Sequence, residues 1–140
     1  MSKRDYGKYK KEISKFRYKP IRYIAATNSL KIQCCRNSGR GKPYIWIDPS
    51  WELFRNGKFY TSSRAYPYHT EPLYLNKHRM WCKKLKTLHG KLLLSVTYKQ
   101  NNFVIFRFSG GVTLSSFSTD AEYDSSDDYD YDDWYADSSS

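Results

Sequence analysis

Acidic residues are scarce over most of this chain. Its first 119 residues hold only five: Asp5, Glu12, Asp48, Glu52 and Glu71. Metal-dependent phosphoryl chemistry needs clustered carboxylates to hold divalent cations. Asp48 and Glu52 are close enough to share a turn, but two carboxylates make a thin site, which argues against a metal nuclease. Cysteine is also scarce. Cys34, Cys35 and Cys82 make no disulfide framework, which points to a reducing, intracellular setting: the cytoplasm, with nucleoid or nucleus as variants. No apolar run approaches the roughly 20 residues of a membrane span. The basic opening "MSKRDYGKYKKEISKFRYKP" has no apolar centre of the secretory-signal kind. No membrane partner is expected.

Enzymatic signatures are missing as well. "RNSGRGKP" ends in Gly41-Lys42, but a phosphate loop of the GxxxxGK[ST] type would need glycine where Arg36 stands and Ser or Thr where Pro43 stands. His78 and Cys82 are four apart on a predicted helix, a zinc-compatible spacing. Completing the set would need Cys34 or Cys35, His69 or His89. Small core residues explain Cys34 and Cys82 more simply. No nucleophile–base pattern stands out. The expectation is a non-enzymatic protein without metal or cofactor.

What the chain does have is an uneven charge. All 24 Lys and Arg lie in residues 1–119, giving that part a net +19. The last 21 residues carry nine acids and no base, a net −9. They read "DAEYDSSDDYDYDDWYADSSS", with Asp127, Asp128, Asp130, Asp132, Asp133 and Trp134 as the acidic–aromatic centre. Three regions follow: a basic N-terminal arm (1–20), a β-rich globular domain (21–119) and an acidic tail (120–140). The tail has too few aliphatic residues to fold alone and is expected to be disordered when free. In the arm, Tyr9, Ile13 and Phe16 fall at i, i+4 and i+7, a weak amphipathic-helix signal; a disordered basic arm is the equal alternative.

Within the domain, "IRYIAA" and "LKIQCC" flank "TNS" and predict a hairpin. Leu30, Ile32 and Cys34 point one way, Lys31, Gln33 and Cys35 the other. "YIWID" puts Ile45 and Ile47 opposite Tyr44, Trp46 and Asp48. "PSWELF" reads as one helical turn. "NGKFYTS" opens on an Asn-Gly turn, with Phe59 inward and Lys58 and Tyr60 outward. "NKHRMWCKKLKTLHG" predicts a helix capped by Asn76, with Trp81, Cys82, Leu85 and Leu88 as its apolar stripe. "KLLLSVTYK", "NFVIFRF" and "GVTLSSF" predict a meander in which Val104, Phe106 and Phe108 fill the core. The expected fold is β-rich α+β: a small barrel or bent antiparallel sheet, OB-like or SH3-like, with one packed helix.

Twenty aromatic side chains in the body exceed what a small core needs. Interleaved with bases on strands, they suit a single nucleic-acid strand, whose phosphates follow a positive groove while bases stack on rings. Tyr44, Trp46, Tyr60 and Phe103 are the candidate stacking rings. Arg22, Lys31, Arg36, Arg40, Lys42, Lys58 and Arg107 are the candidate phosphate contacts. Single-stranded DNA or RNA is favoured over duplex, because no groove-reading motif is present. The tail is expected to compete for the same basic groove, or to recruit a protein partner once displaced. This layout resembles that of single-strand-binding proteins of bacteria and phages, although the chain here ends "ADSSS" with no terminal aromatic. The alternative is a small effector, such as a viral one, that binds a host protein through its basic body or acidic tail.

Overall fold

Among the described residues, nine strands and two α-helices form, and the strands fall into two separate antiparallel sheets. The computed structural model describes residues 3–34, 42–99, 103–117 and 134–139. The chain starts with α1 (Lys3–Ser14). Strands β1 (Ile21–Ala26), β2 (Ser29–Cys34) and β3 (Lys42–Ile47) follow, then β4 (Trp51–Arg55) and β5 (Lys58–Ser62). Helix α2 (Tyr74–Leu85) comes next. The chain then forms β6 (Leu93–Tyr98), β7 (Val104–Phe108), β8 (Val112–Ser116) and β9 (Trp134–Ser139). One sheet runs β1-β2-β3-β9 and the other β5-β4-β8-β7-β6.

The sheets meet at one corner, where Ile21 N–H donates to the Lys91 carbonyl (2.9 Å) and Gly90 N–H to the Ile21 carbonyl (2.8 Å). They do not close into a barrel, so the OB-like and SH3-like expectation gives way to a two-sheet α+β domain. The inner faces share one apolar core. Leu30, Ile32, Ile45 and Ile47 come from the first sheet, and Trp51, Leu53, Phe106 and Leu114 from the second. Alternation within each strand selects these residues, because successive side chains point to opposite faces.

Three local expectations are corrected and one open alternative is decided. The N-terminal arm takes the helical alternative: residues from Lys3 to Ser14 are helical, and Tyr9, Ile13 and Phe16 are buried in the core. The one packed helix expected within the domain is α2. "WELF" is a strand and not a helical turn, because its alternation buries Trp51 and Leu53 between β5 and β8. Helix α2 begins before Asn76. Leu73 is its N-cap, at φ 61°, and the Leu73 carbonyl takes the Lys77 N–H. The acidic tail also contributes structure, since Trp134–Ser139 pairs with β3 along its whole length. A strand on a sheet edge gains backbone hydrogen bonds that an isolated segment lacks, so composition alone misjudges it. Asp127, Asp128, Asp130, Asp132 and Asp133 lie outside the described residues.

Turn chemistry behaves as expected at "NG": Asn56 (φ 51°) and Gly57 (φ 77°) both take the left-handed region that a tight hairpin requires. Gly111 (φ 74°) approaches the same turn, and its carbonyl accepts the Asn56 N–H at 2.8 Å. A Cβ on Gly111 would collide with Asn56 Oδ1. Gly111→Ala should therefore cost about 1–3 kcal/mol of stability, from left-handed strain and the collision together. A urea melt checks this, and an unchanged midpoint would mean that the turn relaxes freely.

Candidate nucleic-acid interface

The outer face of the first sheet is set by register. Antiparallel partners directly opposite one another share a face. One outward row runs Ile24, Lys31, Trp46 and Tyr135, and the next runs Arg22, Gln33, Tyr44 and Asp137. The inward rows hold Ile32, Ile45 and Ala136. Four candidates from the sequence, Arg22, Lys31, Tyr44 and Trp46, are thus brought together on a single face. Strands β1–β3 add no acid to these rows.

Contacts within the face orient its rings. Lys31 Nζ lies 4.7 Å above the centre of the Tyr44 ring, a cation–π distance. Trp46 Nε1 donates to Asp48 Oδ1 at 2.8 Å, and Ser29 Oγ donates to the same oxygen at 2.8 Å. The indole is therefore pinned by its edge while remaining half-exposed. Asp48 thus holds the edge of the Trp46 ring. Among the described residues no group of three His, Cys, Asp or Glu could hold a metal ion. His78 does approach the Cys82 sulfur, at 3.8 Å, but Tyr66 and Tyr74 flank its ring. Cys82 is a free thiol.

Four of the remaining candidates, Lys58, Tyr60, Phe103 and Arg107, do not join this face. Lys58 and Tyr60 are on β5 and Arg107 is on β7, all in the second sheet; Phe103 directly precedes β7. Arg107 Nη1 donates to Thr97 Oγ1 at 2.7 Å, and Phe103 packs near Phe117, with ring centres 6.4 Å apart. The expected facing of β5 is reversed: Phe59 is 56% exposed, while Tyr60 packs against the core. A register shift between Leu53 and Phe54 causes this, because an extra residue rotates every following side chain. Tyr60 instead sits between two cations, with Arg55 Cζ 4.8 Å and Lys84 Nζ 5.4 Å from its ring centre. Arg36 and Arg40 lie outside the described residues, and Lys42 opens β3.

Sequence reasoning missed Tyr135 and Asp137. Their alternation in "WYADSS" was legible, but nothing local named β3 as their partner. Tyr135 meets Tyr44 edge-on, with ring centres 6.0 Å apart. Tyr44 is held above the ordinary tyrosine range, first by burial, then by the neighbouring Tyr135 and Asp137 and by a side-chain hydrogen bond with Tyr135. The folded state thus keeps this proton to higher pH than the unfolded chain does. The associated stability is intact below the unfolded value of about 10 and is lost as pH rises through the folded one. Tyr135→Phe removes the hydroxyl and its hydrogen bond, so Tyr44 should then titrate at lower pH. An alkaline NMR titration of the Tyr44 ring tests this; an unshifted midpoint would mean that the two hydroxyls do not interact.

Compared with known proteins, the chain matches no family model, no curated protein and no solved structure. No helix among the described residues is long and apolar enough to cross a membrane.

Proposed function

We propose that this protein binds nucleic acid without catalysis, prefers single strands, and does so on the outer face of the β1-β2-β3 sheet. One observation carries the reading: Arg22, Lys31, Tyr44 and Trp46 share two adjacent outward rows to which β1–β3 contribute no carboxylate. The charge on residues 1–119 supplies attraction to phosphate, and the pinned indole supplies a stacking surface. The two ion pairs of the described residues, Lys15–Glu12 and Lys77–Glu71, involve none of these four side chains. The acidic residues of 120–133 act as a tethered competitor for the basic surface, at an effective concentration of about millimolar.

Fluorescence anisotropy of the full chain tests this. Labelled single-stranded DNA, duplex DNA and RNA are titrated at about 50 and 200 mM salt, a range over which phosphate-driven binding falls steeply. Tight, salt-sensitive binding that favours a single strand is expected. Its absence with all three probes would remove the proposal. The face is tested separately by charge. Lys31→Ala should reduce the slope of log affinity against log salt by about one unit. Arg107→Ala, on the other sheet, should leave that slope unchanged.

A second reading has its own observation. Leu73 and Met80, 71% and 55% exposed, border a groove of about 480 Å³ between α2 and the segment before it. Arg64, Lys77 and Lys84 line the same groove, with Glu71 paired to Lys77 at 3.0 Å. Exposed apolar side chains rimmed by bases suit an acidic, apolar protein surface, as an effector of a host protein would require. Such an effector would bind its partner undiminished by Trp46→Ala and lose it on Met80→Asp.

A further inference from the structure

Strand β9 sits in a slot of particular construction. Its floor is the edge of β3, with which it forms six register pairs from Lys42↔Ser139 to Ile47↔Trp134. Its wall is α1, which packs on both β9 and β3. The strand's inward side chain at the centre is Ala136, opposite Ile45 and 3% exposed. Its outward side chains there, Tyr135 and Asp137, extend the rows of Trp46 and Tyr44.

The occupant is an edge strand. Of the three β9 side chains described, Ala136 is buried, Tyr135 half-buried and Asp137 exposed. Among the described residues β9 has one strand neighbour, β3. Local segments of a fold open at free energies below that of global unfolding. Backbone pairing supplies affinity in strand addition, and alternate side-chain pockets supply selectivity.

We propose that the slot between the β3 edge and α1 is a strand-accepting site, that Trp134–Ser139 is its exchangeable resident, and that β9 in the slot and a nucleic-acid strand on the adjoining face exclude one another. The exclusion, unlike the slot, rests on the functional reading above. Its basis is geometric. Asp137 adds a carboxylate to the row of Arg22, Gln33 and Tyr44, where a phosphate chain would run, and Tyr135 stands edge-on against Tyr44. The preferred occupant is an extended segment with a small residue inward at its centre and an aromatic and an acid outward. Because packing and hydrogen bonds hold it, occupancy persists at salt concentrations that screen a purely electrostatic competitor.

The test uses the full chain with Ala136→Trp, which overfills the slot and expels the strand. A labelled peptide with the sequence of residues 131–140 is then offered in trans. The variant should bind it at least about tenfold more tightly than the wild type, whose slot is already filled by a tethered strand. The same peptide carrying Trp in place of its alanine should bind neither. Equal binding by both proteins, or by neither, overturns the slot. Hydrogen exchange at β7 amides reports whether the variant is folded; if it is not, Ala136→Asn takes its place. The exclusion is read in the wild type, where saturating single-stranded DNA should speed amide exchange across residues 134–139. Unchanged exchange with DNA bound overturns exclusion and leaves the slot standing. DNA that does not bind at all overturns the functional reading and exclusion with it, and the peptide result alone then decides the slot.

Discussion

Trp51→Ala is expected to cost about 3–5 kcal/mol of stability, the range for emptying a large aromatic site in a core. The ring is 0% exposed, and its centre lies 6.0 Å from that of Trp81. Its Nε1 donates to the Asn28 carbonyl at 2.8 Å, which ties β4 to the β1–β2 turn and so joins the two sheets. The substitution removes the apolar contact, leaves a cavity and frees a partly buried carbonyl. A domain of this size has about 5–15 kcal/mol in total, so the variant should be marginal at best. Urea denaturation should show a lower midpoint with an unchanged m-value. A loss below about 1 kcal/mol would mean that Trp51 is not a core residue and that the two-sheet arrangement is wrong.

Trp46→Ala should behave in the opposite way. This indole is only five residues away but points outward, half-exposed, with its edge held by Asp48. Its removal should change stability little and weaken single-strand binding by about 1–3 kcal/mol, the usual contribution of one stacked base. The salt slope should stay constant, because no phosphate contact is lost. Trp46→Phe keeps a ring but loses the hydrogen bond to Asp48, and it should recover part of the affinity. Unchanged binding by Trp46→Ala would place the nucleic-acid surface elsewhere, with the Arg55–Tyr60–Lys84 cluster on the second sheet as the next location to examine.

The two tryptophans show which information was local. On β3, the alternation of Tyr44, Ile45, Trp46 and Ile47 gives the inward and outward faces directly, and the structure agrees. On β2 and β7 the same period-two pattern separates Ile32 from Lys31 and Phe106 from Arg107. The pattern fails on β5, where a register shift reverses Phe59 and Tyr60. A bulge is decided by the neighbouring strand, so the five residues of β5 do not contain it. "WELF" was misread for a related reason. Its short apolar stretch fits either a helical turn or a strand, and only β5 and β8 on either side resolve it.

The candidate site divides along the same line. Its residue types and their outward facing were mostly legible, but their grouping was not, because sheet membership depends on partners far away in sequence. Arg22, Lys31, Tyr44 and Trp46 gather because β1, β2 and β3 pair in order. Tyr60 and Arg107 separate from them because β5 and β7 belong to the other sheet. By itself the sequence determined the charge division, the hairpin turns and the side-chain faces of most strands, since these depend on neighbours a few residues apart. Only the tertiary structure decided that Tyr9, Ile13 and Phe16 enter the core, that the strands split into two sheets, and that the end of an acidic tail becomes an edge strand. Each of those outcomes depends on apolar burial or backbone pairing between distant segments, which no local pattern encodes.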